Sequence, residues 1–191
     1  MGNLSIRATS HPKPAFTFDE FFSFVTRGDM QVINAFLLNC HLYHIDYSLF
    51  TSLLEKNLDN SYICLLLGKL YLSNKFSYRN PDYGLRLLQF SATLGNSEAI
   101  KDLAANYLKY LDVPPSYSDY CLIKEYCSQA MHLGDPNAIT TYLSLCQNQR
   151  EIDTALKLFF DCLRDERLSL DSYDQLTRSG FEYLLERSMV V

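Results

Sequence analysis

Residues 60–96 read NSYICLLLGKLYLSNKFSYRNPDYGLRLLQFSATLGN, and the fold class follows from this stretch. Leu65, Leu66, Leu70 and Leu72 belong to one heavily apolar helix, and Leu85, Leu87, Leu88 and Ala92 form a stripe at helical spacing on a second. Asp59-Asn60 before them and Gly95-Asn96 after them are pairs that end one helix and cap the next. Two helices of about a dozen residues with two turns consume roughly 34 to 40 residues, so the stretch is one helical hairpin.

The same kind of pair recurs along the chain, as Gly28-Asp29, Asp59-Asn60, Gly95-Asn96 and Gly134-Asp135, at separations of 31, 36 and 39 residues. Sliding the units onto these anchors places Gly68 on Ala104, Leu67 on Leu103, Tyr71 on Tyr107 and Ala92 on Met131, with Leu94 and Leu133 both preceding the stop glycine. Small residues at repeated positions let helices approach closely, and the matched Leu and Tyr fill the space between layers. Only 7 Gly and 6 Pro are present, they fall at boundaries, and alternating β-branched runs are scarce. An all-α chain of internal repeats is expected.

These residues resemble the Sel-one-like repeat family, a relative of the tetratricopeptide repeats. The family's first helix carries Ala, then Leu-Gly, then Tyr. Leu67-Gly68-Lys69-Leu70-Tyr71 match it, as do Ala99, Leu103 and Tyr107 in the following unit. Val113-Pro114 and Asp119 resemble the family's Val-Pro loop and the Asp that opens its second helix, with three extra residues between them. Ser91-Ala92 with Gly95-Asn96, and Ala130-Met131 with Gly134-Asp135, approximate its Ala-Ala ending and Gly-Asn turn. The resemblance covers residues 60–134; residues 29–59 keep the length and the stop, and residues 135–166 keep Ala138 and Ala155. It implies a right-handed α-solenoid of antiparallel helical hairpins that serves as a protein-binding scaffold or adaptor. The organisation expected is a flexible tail over 1–16 and a single repeat domain over 17–191. That domain comprises a leading helix (17–28), units 29–59, 60–95, 96–134 and 135–166, and a capping helix (167–191) opened by Asp171. Thr17 and Glu20 have capping-box spacing at the first helix.

Composition excludes several function classes. A formal net charge of -5 leaves no excess of Lys and Arg for phosphates, so nucleic acid is not an expected partner. No run of about 18 apolar residues is present, so no membrane span is expected. Residues 1–14 are polar and carry no signal core; the expected location is the cytoplasm, with secretion into a host cell by a non-classical route left open. Gly2 suits myristoylation, but Ile6 stands where that motif needs Ser or Thr. The six cysteines lack paired spacing and mostly sit in apolar helical patterns, as reduced core thiols do.

Cys40-His41-Leu42-Tyr43-His44 is the one cluster with metal-ligand chemistry, Cys40, His41 and His44 being soft donors, and no second cluster supplies the remaining ligand. His132 lies at a helix end, where the dipole favours it, and no nucleophile elbow, phosphate loop or catalytic carboxylate pair is visible. No enzyme activity, metal or cofactor is therefore expected. The 14 Tyr and 12 Phe fall mostly on apolar faces, Phe90 included, while Tyr78, Tyr110 and Tyr117 sit in or beside loops and are candidates for partner contact.

In an α-solenoid the first helices of successive units line the concave face. Setting fold-bearing residues aside leaves a variable stripe of Tyr62, Leu66, Lys69 and Ser73, then Glu98, Asp102, Ala105 and Lys109, then Asn137, Thr141 and Ser144. This stripe is the expected binding surface for another protein or peptide. Three readings stay open: an adaptor, an inhibitor or immunity-type protein that occludes one specific toxin or enzyme, and a metal-dependent enzyme centred on Cys40, His41 and His44.

Overall fold

The computed structural model describes residues 5–6, 16–43, 45–111, 113–165 and 167. The regular structure among them is helical, apart from an antiparallel two-residue ladder pairing Ser5–Ile6 with Phe16–Thr17. That ladder draws on the stretch expected to be a tail. The capping helix expected over 167–191, with Asp171, lies outside the described residues except for Arg167. The domain expected over 17–191 divides into two compact units, residues 1–99 and 100–191.

In the first unit α1 (Phe18–Thr26) begins with the expected capping box: Glu20 N–H donates to Thr17 Oγ1 at 3.2 Å, and Thr17 N–H to Glu20 Oε2 at 2.8 Å. It ends at Gly28, whose φ of +77° is a left-handed conformation that suits glycine. Gly28 N–H donates to the Val25 carbonyl at 2.9 Å and Asp29 N–H to the Phe24 carbonyl at 3.0 Å, the paired bonds of a Schellman stop. The Asp29 carboxylate then accepts from Gln31 and Val32 N–H, both at 3.1 Å, and opens α2 (Met30–Asn39).

The same joint recurs. Gly95 (φ +81°) donates to the Ala92 carbonyl at 2.9 Å and Asn96 N–H to Ser91 at 3.1 Å; the Asn96 side chain accepts from Ala99 N–H at 3.1 Å. Gly134 (φ +81°) and Asp135 repeat the pair of bonds to Met131 and Ala130 at 3.0 and 2.9 Å. At the end of α9 (Gln149–Arg164), Arg167 N–H reaches back to the Cys162 carbonyl at 3.0 Å. The Asp59-Asn60 stop is built differently. Without a glycine there, α3 (Tyr47–Leu54) tightens into a 3-10 turn, Glu55–Asn57, before Asn60 caps α4 (Ser61–Leu72) through Tyr62 and Ile63 N–H.

Helix α4 is the centre of the first unit. It packs against α1, α2, α3 and α5 (Pro81–Thr93), and Ile63, Cys64, Leu65, Leu66, Leu67 and Leu70 are all fully buried. A helix apolar on every side belongs in the interior. Its contact with α5 passes through bare backbone: a Cβ on Gly84 would lie 2.9 Å from the Gly68 carbonyl oxygen, and one on Gly68 would lie 3.0 Å from that of Gly84. Aromatic rings fill the other side, with Phe21–Phe36 and Phe36–Phe50 centroids 4.8 and 5.2 Å apart.

Helix α6 (Ser97–Tyr110) contains the boundary between the units. In the second unit α7 (Tyr117–His132) packs on α8 (Ala138–Ser144) and α9. Ser116 caps α7, with Asp119 at the third helical position completing a second capping box, so the helix opens before the Asp119 expected to start it. Cys127 Sγ approaches the Ala104 carbonyl at 3.8 Å. Counted from the stop glycines, Cys127 stands where Leu88 stands, and the Leu88 Cγ lies 2.9 Å from where a Gly68 Cβ would be. The small residue of one helix thus meets the same position of the next in both units.

Two glycine replacements separate backbone strain from crowding. Nothing lies within 4 Å of a Cβ at Gly95, so Gly95→Ala should cost only the left-handed penalty of about 1 kcal/mol. Gly84→Ala is not left-handed but meets backbone, and overpacking of about 1–3 kcal/mol should make it the costlier change despite the gain in helix propensity. Urea melts of the two variants should rank them in that order.

Candidate functional site

The structure sorts the expected stripe residue by residue. Leu66 is fully buried and is no surface contact: α4 is covered on all sides, so the position read as facing a groove faces core. Tyr62 is half-buried against that core, and its ring occupies the space into which a Cβ on Gly28 would project. Lys69 is half-buried, and Ser73 closes α4, its hydroxyl accepting from Lys75 N–H at 3.2 Å. Glu98 lies in the first turn of α6 and is half-buried.

The remaining positions fall in the second unit. Asp102 is half-buried and engaged: its carboxylate accepts from Asn106 Nδ2 at 3.0 Å and from the Tyr110 hydroxyl at 2.8 Å. Lys109 is exposed and donates to Asn106 Oδ1 at 2.7 Å, extending this polar ladder along α6. Ala105 is exposed. Asn137 is exposed at the start of α8 without a side-chain cap bond, Thr141 is half-buried, and Ser144 is exposed with its hydroxyl on the Thr141 carbonyl at 2.7 Å. Lys109, Asn137 and Ser144 are the stripe's exposed polar positions.

The loop tyrosines divide. Tyr78 is 55% exposed and Tyr117 is 71% exposed, whereas Tyr110 is half-buried with its phenol on Asp102, and both burial and that carboxylate push its ionisation far up. Phe90, expected in the core, is 46% exposed. The face of α5 turned to α4 runs through Gly84, Leu88 and Ser91, which leaves Phe90 on the far side.

In the cluster at residues 40–44, Cys40 is buried and His41 exposed on the 3-10 turn that follows α2, so these two donors do not converge; His44 lies outside the described residues. The Tyr47 hydroxyl bonds the Cys40 carbonyl, and burial raises the Cys40 thiol's ionisation, the opposite of what a ligand or nucleophile needs. Among the described residues no three His, Cys, Asp or Glu side chains come together as a metal site, and no helix is long and apolar enough to cross a membrane.

One polar contact escapes the sequence reading. Lys124 on α7 meets Glu151 on α9 at 2.7 Å, and Glu151 also accepts from Gln147 N–H at 2.8 Å. The Lys124 bond, then that of Gln147, hold the Glu151 carboxyl below its usual range. Burial is the largest single influence on the Lys124 ammonium and depresses it, but the bond and the charge of Glu151, with Cys146 and Tyr142, together leave it raised. No local spacing marks two residues 27 apart in sequence as partners. The ladder through Asp102, Asn106 and Tyr110 does carry a signal, the four-residue spacing of side chains on one helix face.

Compared with protein-family models, with curated proteins and with solved structures, the chain matches none.

The buried acids set a pH limit on the fold. Burial pushes the thiols of Cys64 and Cys127 up to about 11 and about 12, and the phenol of Tyr71 up to about 12, with Tyr110 and Tyr126 raised for the same first reason. A group raised on folding contributes stability that is intact below its unfolded value and lost as pH climbs through the folded one. Helix content should therefore hold to about pH 9, weaken from about pH 10 and be lost by about pH 12, the tyrosinate absorbance of the buried phenols rising with that loss. Full tyrosinate absorbance, from all 14 tyrosines, reached with the helix intact would contradict the burial.

Proposed function

We propose that the chain is a protein-binding helical-repeat scaffold, a right-handed solenoid of antiparallel hairpins of the Sel-one-like kind. The observation that carries this reading is the repeated joint. At Gly28, Gly95 and Gly134 the glycine is left-handed, and the bond from the next residue spans the same five positions back. The matching contacts of Gly68 with Leu88 and of Ala104 with Cys127 support the same register. A stack of such units does its work through surface, since each hairpin spends its apolar faces on its neighbours.

The exposed polar groups of the second unit, Lys109, Asn137 and Ser144, are the contacts we assign to the partner. Their mixture of cation, amide and hydroxyl reads hydrogen-bonding groups, and the net charge of -5 favours a basic partner. Adaptor and inhibitor share this chemistry and differ in the number of components they hold.

The test is a tagged chain captured from its native host, compared with the triple variant Lys109→Glu, Asn137→Ala, Ser144→Ala. All three positions are exposed, so helicity should be unchanged and the unfolding free energy should stay within about 0.5 kcal/mol of wild type. The co-purifying protein should be lost from the variant. Several components in the wild-type complex indicate an adaptor, and one stoichiometric partner an inhibitor. A variant that retains its partner at wild-type yield refutes the assignment of these residues.

A further inference from the structure

The segment joining α6 to α7 contains Val113-Pro114-Pro115-Ser116-Tyr117. Tyr117 at 71% and Val113 at 68% are the most exposed large apolar side chains among the described residues. Pro114 and Ser116 are exposed as well, and Pro115 is half-buried. A pair of large apolar groups held in water beside two prolines is not explained by packing.

The backbone is set for recognition. Proline fixes its own φ near about -65° and pushes the residue before it toward extended geometry, which constrains Val113, Pro114 and Pro115. Ser116 continues the course with φ -82° and ψ 168°. Val113 is a bend, and from Pro114 to Ser116 the chain belongs to no helix or strand before α7 opens at Tyr117; a polyproline course there, at about three residues per turn, would put Pro114 and Tyr117 on one face. Its downstream end is clamped: Ser116 N–H donates to Asp119 Oδ2 at 2.7 Å, and Asp119 N–H returns to Ser116 Oγ at 3.3 Å. A ligand already held in its bound shape forfeits little entropy on docking. The segment also falls in the longest interval between stops, 39 residues against 36 before it, and an insertion in one unit of a repeat marks a loop free to take on binding.

We propose that Pro114-Pro115-Ser116-Tyr117 docks a WW-type domain, whose groove grips proline between aromatic side chains and seats a tyrosine in the neighbouring pocket. An SH3-type groove pairs its acidic rim with a cation beside the prolines, and no Lys or Arg occurs from Leu111 to Ile123. This site lies off the stripe assigned above and does not depend on it.

The experiment titrates the whole 191-residue chain into a fluorescently labelled WW domain chosen because it binds free Pro-Pro-x-Tyr peptides. Saturable binding is expected, competed by such a peptide and weakened about tenfold or more in Tyr117→Ala and in Pro115→Ala. The Ser116 and Asp119 cap is untouched by either change, so both variants should melt as wild type does, and Ser118→Ala should bind as wild type. An SH3 domain should give no signal. Absence of WW binding by the intact chain, equal binding by folded Tyr117→Ala, or preference for the SH3 domain overturns the proposal.

Discussion

The six fully buried apolar side chains of α4 leave that helix almost no face for water, and at Gly68 the backbone itself becomes a packing surface. Neighbours have to close on it from every direction, and α1, α2, α3 and α5 do so. The nearest of these contacts sets the terms for the rest. With Gly68 and Gly84 opposed, α5 comes close enough for Leu88 to seat over Gly68 and for Ser91 to reach the Ser61 carbonyl at 2.7 Å. A fully buried serine hydroxyl needs such a partner, because an orphaned polar group there costs about 1–3 kcal/mol. Among the described residues, buried side-chain polar atoms all have one.

Hydrogen bonds at the joints complement that packing. Asn60 caps α4 with its carbonyl oxygen and turns its amide back to the Thr26 carbonyl at 3.1 Å; Asn96 caps α6 and reaches Ser61 Oγ at 3.4 Å. Each asparagine spends its acceptor on the helix it starts and its donor on a residue 34 or 35 positions earlier. An aspartate caps equally well but has no amide donor for the second bond. Asparagine carries the acceptor and the donor on separate atoms, which lets one side chain serve both ends.

The features legible in the sequence are those whose chemistry is local. A glycine at a helix end followed by Asp or Asn has a cause within half a dozen residues, so Gly28, Gly95 and Gly134 show their left-handed turns directly in the sequence. The capping box at Thr17 and Glu20 is legible for the same reason. Leu66 fails because the stripe assumed that every helix keeps a solvent face, while the unbroken apolar run from Ile63 to Leu67 is the signature of one that does not. Gly84 carries no local sign of its role, which exists only opposite Gly68. Asp102 and Tyr110 show helical spacing, but the burial that turns their bond from a surface contact into a structural one comes from packing.

The stop glycines have an evolutionary corollary. Each joint satisfies the carbonyls of the outgoing helix with backbone donors no more than five residues away, and at Gly28 and Gly95 the amides of the incoming helix are met by the very next side chain. Copying the stretch of gene from Gly95 to Gly134 would add a segment whose entry and exit are already finished. Such a corner is portable, because nothing outside those few residues is needed to close it, whereas the Asp59-Asn60 stop, which has no glycine, depends on a 3-10 turn at Glu55–Asn57 instead.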